Sequence, residues 1–267
     1  MIELKSVSFS YRKGSRALDN VSLVIEEGLF WGVIGPNGSG KTTLLDIMAG
    51  YRIPAAGSVK YKGKDISDYT KRDLAKSMAF VPQEQGISFP FKVEEVILMG
   101  RYPYMSRLLP PSREDMKASE DAMNILKLSH LRDRYITELS GGEKQRVFVA
   151  RALCQDTPVL LLDEAISQMD IKYSLLVLEV LKRKVREQKK TVVFVMHDLN
   201  LAFLYCDGLI IMKQGSIVRC GKKEEVVSEG LLKDVFEVDC HLYKEEAYGT
   251  EQILFRLPSD YLYHAQS

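Results

Sequence analysis

The chain has 267 residues with 37 basic and 36 acidic side chains, a formal net charge of +1, and 46% hydrophobic residues. That apolar content is enough for a core and excludes a disordered or collagen-like chain, and the length suits one large domain or a core carrying a smaller subdomain. The balanced charge argues against a nucleic-acid partner, and apolar runs such as residues 159–162 fall far short of the ~20 residues that a membrane-spanning helix needs.

From the N-terminus, Ile2, Leu4, Val7 and Phe9, then Val21, Leu23 and Ile25, form short, roughly alternating apolar runs. They flank a polar turn at Lys13-Gly14-Ser15 and predict strands of an antiparallel sheet. Leu29-Phe30-Trp31-Gly32-Val33-Ile34 is a compact apolar strand that enters a glycine-rich turn and leaves as a helix over 43–49. Ser58-Val59-Lys60-Tyr61 reads as a further strand with a turn at Lys62-Gly63-Lys64, and Met78-Ala79-Phe80-Val81 as a buried strand stopped by Pro82. The texture then changes. Val93, Val96, Ile97 and Met99 predict one helix, Met116, Met123, Ile125, Leu126 and Leu128 another, with Pro103, Pro110 and Pro111 in the loop between. Helix-period spacing within a strand-rich chain predicts a helical subdomain inserted at 84–137.

Beyond it, residues 159–162 and 191–196 are apolar runs of strand length, each followed by a helix candidate, with Leu175, Leu178, Leu181 and Val185 recurring at three- and four-residue steps. Unbroken apolar strands alternating with amphipathic helices predict a parallel sheet covered on both faces. Residues 209–212 and 217–218 flank Gln214-Gly215 as a hairpin. Cys154, Cys206, Cys220 and Cys240 are scattered with no C-x-x-C pair, against a zinc site or a disulfide framework. Residues 1–5 lack a charged-then-apolar signal segment, so a reducing cytosol is expected.

Three segments carry chemistry. Gly35-Pro36-Asn37-Gly38-Ser39-Gly40-Lys41-Thr42, followed by Thr43, has the G-x-x-x-x-G-K-T spacing between a strand and a helix. Its glycines let backbone N–H groups converge on phosphate oxygens at a helix N-terminus. Lys41 would then reach the β- and γ-phosphates and Thr42 would ligate Mg²⁺. Asp163 and Glu164 follow an apolar strand, at the end of a parallel sheet where ligands bind. Asp163 is placed to hold Mg²⁺ through water, and Glu164 to polarise an attacking water as general base. The third segment is Leu139-Ser140-Gly141-Gly142-Glu143-Lys144-Gln145-Arg146. Ser140 and Glu143 form a capping box before a helix over 147–154. Two glycines in a first helical turn cost about 1 kcal/mol each against alanine, so something there requires bare backbone, and a helix N-terminus with exposed N–H groups is an anion site.

Leu139 to Arg146 resembles the signature motif of ABC ATPases, and with the phosphate loop and the Asp163-Glu164 pair the resemblance covers nearly the whole chain. It implies an α/β fold: a P-loop NTPase core with a mostly parallel sheet, an N-terminal antiparallel β-subdomain and the inserted helical subdomain. Residues 1–267 would be a single ABC ATPase domain with a C-terminal extension at 222–267. In that family the nucleotide is sandwiched between the phosphate loop of one subunit and the signature helix of a second. The resemblance therefore implies a head-to-tail homodimer in which Ser140, Gly141 and Gly142 touch the γ-phosphate bound by the partner copy. Tyr11 resembles the aromatic that stacks on adenine. Gln83 resembles the glutamine that ligates Mg²⁺ and senses a membrane partner, and His197 the histidine that contacts the γ-phosphate. The implied catalytic set is Glu164, His197 and Lys41, and the implied metal set Thr42, Gln83 and Asp163. His130, His241 and His264 have no such placement and read as ordinary surface or packing residues.

Two features depart from the minimal pattern. Ala165-Ile166-Ser167-Gln168-Met169-Asp170 stands where the family usually has proline or alanine, threonine, and then Ser-x-Leu-Asp; Met169 conserves the leucine's volume, whereas Ile166 removes a hydroxyl near the dimer seam. The stretch Leu231-Leu232-Lys233-Asp234-Val235-Phe236 in the extension, and Gly100-Arg101-Tyr102-Pro103-Tyr104 in the insert, resemble importer subunits for iron-siderophore, haem and cobalamin uptake. The expected function is the ATP-hydrolysing subunit of such an importer. It would sit peripherally on the cytoplasmic side of the membrane, bound to transmembrane permease subunits and served indirectly by an extracytoplasmic solute-binding protein. The helical insert is the expected docking surface for a permease helix. Two alternatives stay open at this level: a soluble ABC-type ATPase of DNA repair or translation, and the ATPase subunit of an exporter.

Overall fold

The computed structural model describes residues 1–12, 15–83, 86, 89–106, 109–245 and 250–256. The turn expected at Lys13-Gly14 and His264 lie outside the described residues, as do parts of the 84–137 and 222–267 segments.

The molecule is built on a six-stranded sheet made from β3 (Phe30–Ile34), β6 (Met78–Val81), β7 (Val159–Asp163), β8 (Thr191–Val195), β9 (Gly208–Lys213) and β10 (Ser216–Lys222), in the order β10-β9-β3-β8-β7-β6. All neighbours are parallel except β9 and β10, which form the antiparallel hairpin expected around Gln214-Gly215. The central strands β3, β7 and β8 are buried at every position. Their side chains still alternate between two cores, as the period-two pleat requires. Phe30, Leu160, Leu162, Val192 and Phe194 enter one cluster, Trp31, Val33, Val159, Leu161, Val193 and Val195 the other.

A second, antiparallel sheet of β1 (Ile2–Arg12), β2 (Ser15–Ile25), β4 (Ala56–Tyr61) and β5 (Lys64–Asp65), in the order β2-β1-β4-β5, covers one of these faces together with helix α1 (Lys41–Met48). The opposite face is covered by α5 (Gly141–Gln155), α6 (Ile171–Gln188) and α7 (Leu199–Tyr205). Within α6, Leu178, Leu181 and Val185 are buried, but Leu175 is 36% exposed. Helices α3 (Val93–Leu98) and α4 (Arg113–Ile125) pack on each other and on α5. Arg101, in the turn between them, is held by the buried Asp115 carboxylate at 2.9 Å and by the Cys154 carbonyl at 3.1 Å.

Two features were not anticipated from the apolar pattern. Helix α2 (Lys71–Ser77) buries no residue fully and is held by its Thr70 cap, whose hydroxyl accepts from the Asp73 N–H. In the extension, α8 (Lys223–Val226) and α9 (Glu229–Phe236) are followed by a hairpin of β11 (Asp239–Glu245) and β12 (Thr250–Arg256). This hairpin is fastened to α7. The Asn200 amide donates to the Ile253 carbonyl at 3.2 Å and accepts from the Ile253 N–H at 2.7 Å, while the Ile253 side chain is buried in the core. Among the described residues no helix is long and apolar enough to cross a membrane.

Candidate functional site

The phosphate loop runs from the end of β3 to the start of α1. Gly40 is the N-cap of α1 with φ +101°, and a Cβ there would lie 2.5 Å from the Ala17 carbonyl of β2, so both conformation and space demand glycine. Gly38, at φ +76°, has nothing within 4 Å of where a Cβ would stand and is needed for its backbone alone. Lys41 is 5% exposed and donates to the carbonyls of Gly35 and Pro36, each at 2.9 Å. Burial depresses its ammonium pKa, opposed by the charges of Glu164 and Asp163.

The carboxyl ends of three adjacent parallel strands bring the next residues together. Gln83 follows β6, Glu164 follows β7 and His197 follows β8. The Gln83 amide donates to Glu164 Oε2 at 2.7 Å, and His197 Nε2 lies 2.5 Å from Glu164 Oε1. Glu164 sits in the left-handed region at φ +51°, a conformation that costs a non-glycine residue about 1–2 kcal/mol and recurs where function over-determines the backbone. Its neighbour Asp163 is fully buried, and neither carboxylate oxygen has a hydrogen-bond partner. Burial pushes its carboxyl up to about 6; Glu164 and Asp46 add to the rise, and the Thr42 hydroxyl and Lys41 oppose it. A buried, unpartnered carboxylate next to a threonine hydroxyl is a donor set that a hard divalent cation satisfies.

Lys41, Gln83, Glu164 and His197 line one cavity of about 420 Å³, in which Tyr11, Asn37, Gly38, Gly40, Thr42 and Thr43 also take part, while Asp163 is buried outside its lining. Tyr11 projects from β1 with its hydroxyl 3.0 Å from Thr43 Oγ1 on α1. Gly35 and Ser39 serve the loop from behind: Ser39 is buried, and a Cβ at Gly35 would collide with the Met212 carbonyl of β9.

Ser140, Gly141 and Gly142 do not reach this cavity. They line a separate one of about 610 Å³ at the N-terminus of α5, with Arg146 and Gln168. The helix begins at Gly141 with Ser140 at the N-cap, as the capping box and the two first-turn glycines predict, and runs on to Gln155. Ser140 N–H and Oγ both donate to the Glu143 carboxylate, at 2.9 and 2.7 Å, which holds that carboxyl below its usual range. The bare backbone has a cause within the chain. A Cβ at Gly142 would lie 2.7 Å from the Gln168 carbonyl and 3.3 Å from Met169 Cα, and one at Gly141 would meet the end of the Gln168 side chain. The glycines thus let α5 press against the 165–170 segment.

Two residues that sequence reasoning missed belong here. Gln145, 7% exposed, donates to the Glu164 carbonyl at 3.4 Å and to Ser167 Oγ at 3.1 Å, and accepts from the Gln168 N–H at 2.9 Å. It fastens the signature helix to the segment that carries Glu164, and no spacing rule marks it. His130 lines the α5 cavity rather than an arbitrary surface; only its position in space shows this.

The sequence profile of the ABC transporter family matches residues 18–167. The chain belongs to that family. This ABC cassette is 42% identical over 226 residues to the ABC transporter ATP-binding protein YvrA of Bacillus subtilis (strain 168), an alignment covering 84% of the chain but only 51% of YvrA, so the cassette spans about half the length of that relative. It is 35% identical over 238 residues to the petrobactin import ATP-binding protein YclP of the same organism, covering 89% of the cassette and 93% of YclP. Relatives named as cobalamin and hemin import ATP-binding proteins, from Halobacterium salinarum and Bradyrhizobium diazoefficiens, stand at 36% and 35%. Among solved structures, the MJ0796 cassette dimer bound to ADP and Pi superposes with a TM-score of 0.75 at 32% identity, covering 83% of the cassette and 98% of that chain. An inward-facing ABC transporter superposes with a TM-score of 0.81 at 25% identity and 96% coverage of both chains.

Proposed function

We propose that the cassette is the ATP-hydrolysing subunit of an importer for a metal chelate, an iron-siderophore, haem or cobalamin, and that two copies act head to tail on the cytoplasmic face of a membrane permease. The observation that carries this reading is the convergence of Gln83, Glu164 and His197 beside Lys41 in one cavity, with the signature residues Ser140, Gly141 and Gly142 facing a different one. A single copy therefore presents half of two sites, and a triphosphate held by the phosphate loop would be completed by the partner's α5. The names of the similar importers supply the solute class.

The chain's own groups account for a hydrolytic step. Lys41 bonds the Gly35 and Pro36 carbonyls, contacts that phosphate oxygens replace, bringing its charge to the β- and γ-phosphates. His197 and Gln83 each occupy one Glu164 oxygen. A γ-phosphate would give His197 another acceptor and release Oε1 to orient an in-line water and accept its proton, the base's role in phosphoryl transfer. Mg²⁺ fits the chemistry of this donor set: Thr42 and Gln83 in the cavity and the buried Asp163 beside it would hold the ion, which when bound neutralises charge on the phosphoryl oxygens. Helices α3 and α4 of the 84–137 insert would offer the permease its docking surface.

The test is reconstitution. The cassette and its permease in proteoliposomes, loaded with ATP, should take up one of a ferric siderophore, haem or cobalamin, and uptake should stop in Glu164→Gln. ATP hydrolysis with no uptake of any metal chelate would refute the solute class, and absence of hydrolysis would refute the whole reading.

A further inference from the structure

Tyr11 is an exposed residue in a strand, and an aromatic ring that is to receive a base must be held in one orientation before the base arrives. Three contacts do this. Phe9 meets the ring edge-on, with centroids 5.1 Å apart at an interplanar angle of 89°. Thr43, on the helix of the phosphate loop, holds the hydroxyl. Arg52 lays its guanidinium over the ring, 4.6 Å from the centroid. Arg52 is itself fixed: its Nε donates to Asp46 Oδ2 at 2.7 Å, and its backbone N–H donates to the Asp46 carbonyl at 3.3 Å. Tyr11 lines the phosphate-loop cavity, and Arg52 is not among the residues lining it. Thr43 and Asp46 both belong to α1. The ring is therefore indexed to the helix that binds the phosphates.

We infer that Arg52 is a positioning residue for nucleotide base recognition, a cation stacked on Tyr11 that fixes the ring in the plane an adenine stacks on. The inference rests on the reading of the cavity as an ATP site and deepens it. A planar guanidinium over a tyrosine is held by attraction to the ring face, and base–aromatic stacking depends on how that ring is oriented. Part of the stacking is lost when the ring is no longer held, whereas contacts to the phosphates are untouched.

The experiment compares affinity for ATP and for inorganic tripolyphosphate, both with Mg²⁺, by calorimetry on the full chain and its variants Arg52→Ala, Arg52→Lys, Tyr11→Ala and the Tyr11→Ala/Arg52→Ala double. Arg52→Ala should weaken ATP about 3- to 10-fold and leave tripolyphosphate within about 2-fold, and the double variant should bind ATP no worse than Tyr11→Ala, as expected for two residues acting as one unit. Arg52→Lys, which keeps a cation but not the planar guanidinium or its Nε bond to Asp46, should recover only part of the loss. Equal losses for both ligands would reduce Arg52 to a structural residue and overturn the inference, as would unchanged ATP affinity in Arg52→Ala or additive losses in the double variant. If Tyr11→Ala itself binds ATP like the wild type, the ring is no base platform and both statements fall.

Discussion

Alanine at Gly142 and at Gly141 should have opposite effects, although both are signature glycines in the first turn of α5. By helix propensity alone each substitution gains up to about 1 kcal/mol. At Gly142 the new methyl meets backbone, the Gln168 carbonyl at 2.7 Å and Met169 Cα at 3.3 Å. That segment cannot yield freely, because Gln145 ties Gln168 and Ser167 to α5 and Met169 packs on the core. Overpacking costs about 1–3 kcal/mol, and about 2–3 where the obstacle is backbone that cannot move aside, so after the gain of up to about 1 kcal/mol Gly142→Ala should be destabilised by about 1–2 kcal/mol net. At Gly141 the obstacle is the far end of the Gln168 side chain, which rotates away, and the variant should match or slightly exceed wild-type stability. Gly230→Ala in α9, where nothing lies within 4 Å of the new atom, is the control and should gain about 0.5–1 kcal/mol. Urea denaturation without nucleotide measures all three. A Gly142→Ala protein as stable as the wild type, or a Gly141→Ala protein less stable than Gly142→Ala, would refute the contact-based account and leave the anion site as the only reason for the glycines.

Further outcomes follow from the same geometry. Glu164→Gln should lower ATP turnover by about 10²- to 10⁴-fold, the usual worth of a general base, with ATP affinity retained in equilibrium binding; near-wild-type turnover would contradict its role. Asp163 holds its proton in the folded chain up to about pH 6, above the ordinary value of 3.8, so the folded state binds more protons than the unfolded one between these values. Nucleotide-free stability should therefore fall as pH rises from about 4 through 6, by up to about 3 kcal/mol, and Asp163→Asn should flatten that dependence in denaturation curves. Asn200→Ala removes both bonds to the Ile253 backbone and leaves that N–H and carbonyl unpaired, a loss of about 1–3 kcal/mol. Amide hydrogen exchange at Ile253 and across β11–β12 should accelerate while β3 and β7 keep their protection; uniform acceleration would show that the hairpin does not open on its own.

The features that could be read from the sequence are the local ones. β3, the phosphate loop and α1 follow one another without interruption, and the glycine pattern has a steric cause within a few residues. The strands 159–162 and 191–196 announced a parallel sheet because both faces are covered. The hairpin of β11 and β12 escaped notice because, among its described residues, Ile253 is the one fully buried side chain and its anchor, Asn200, lies 53 residues away. Helix α2 escaped because it has no buried stripe to give a period. At the site, the residue types near Glu164 pointed to chemistry, but the Gln83–Glu164–His197 arrangement joins segments more than 30 residues apart and needed the sheet order to assemble it. Of the two signature glycines, Gly142 has a reason in addition to an anion that the sequence does not display: the Gln168 carbonyl and Met169 Cα, brought there by the fold, leave no room for a Cβ.

The central claim is that one copy holds half of each nucleotide site. Light scattering on Glu164→Gln with ATP and Mg²⁺ tests it: the protein should run at twice the 30.3 kDa of one chain, and adding Ser140→Arg should return it to the single-chain mass while ATP still binds. An ATP-dependent dimer that persists with Ser140→Arg, or full hydrolysis by a species that stays at the single-chain mass, would contradict the account.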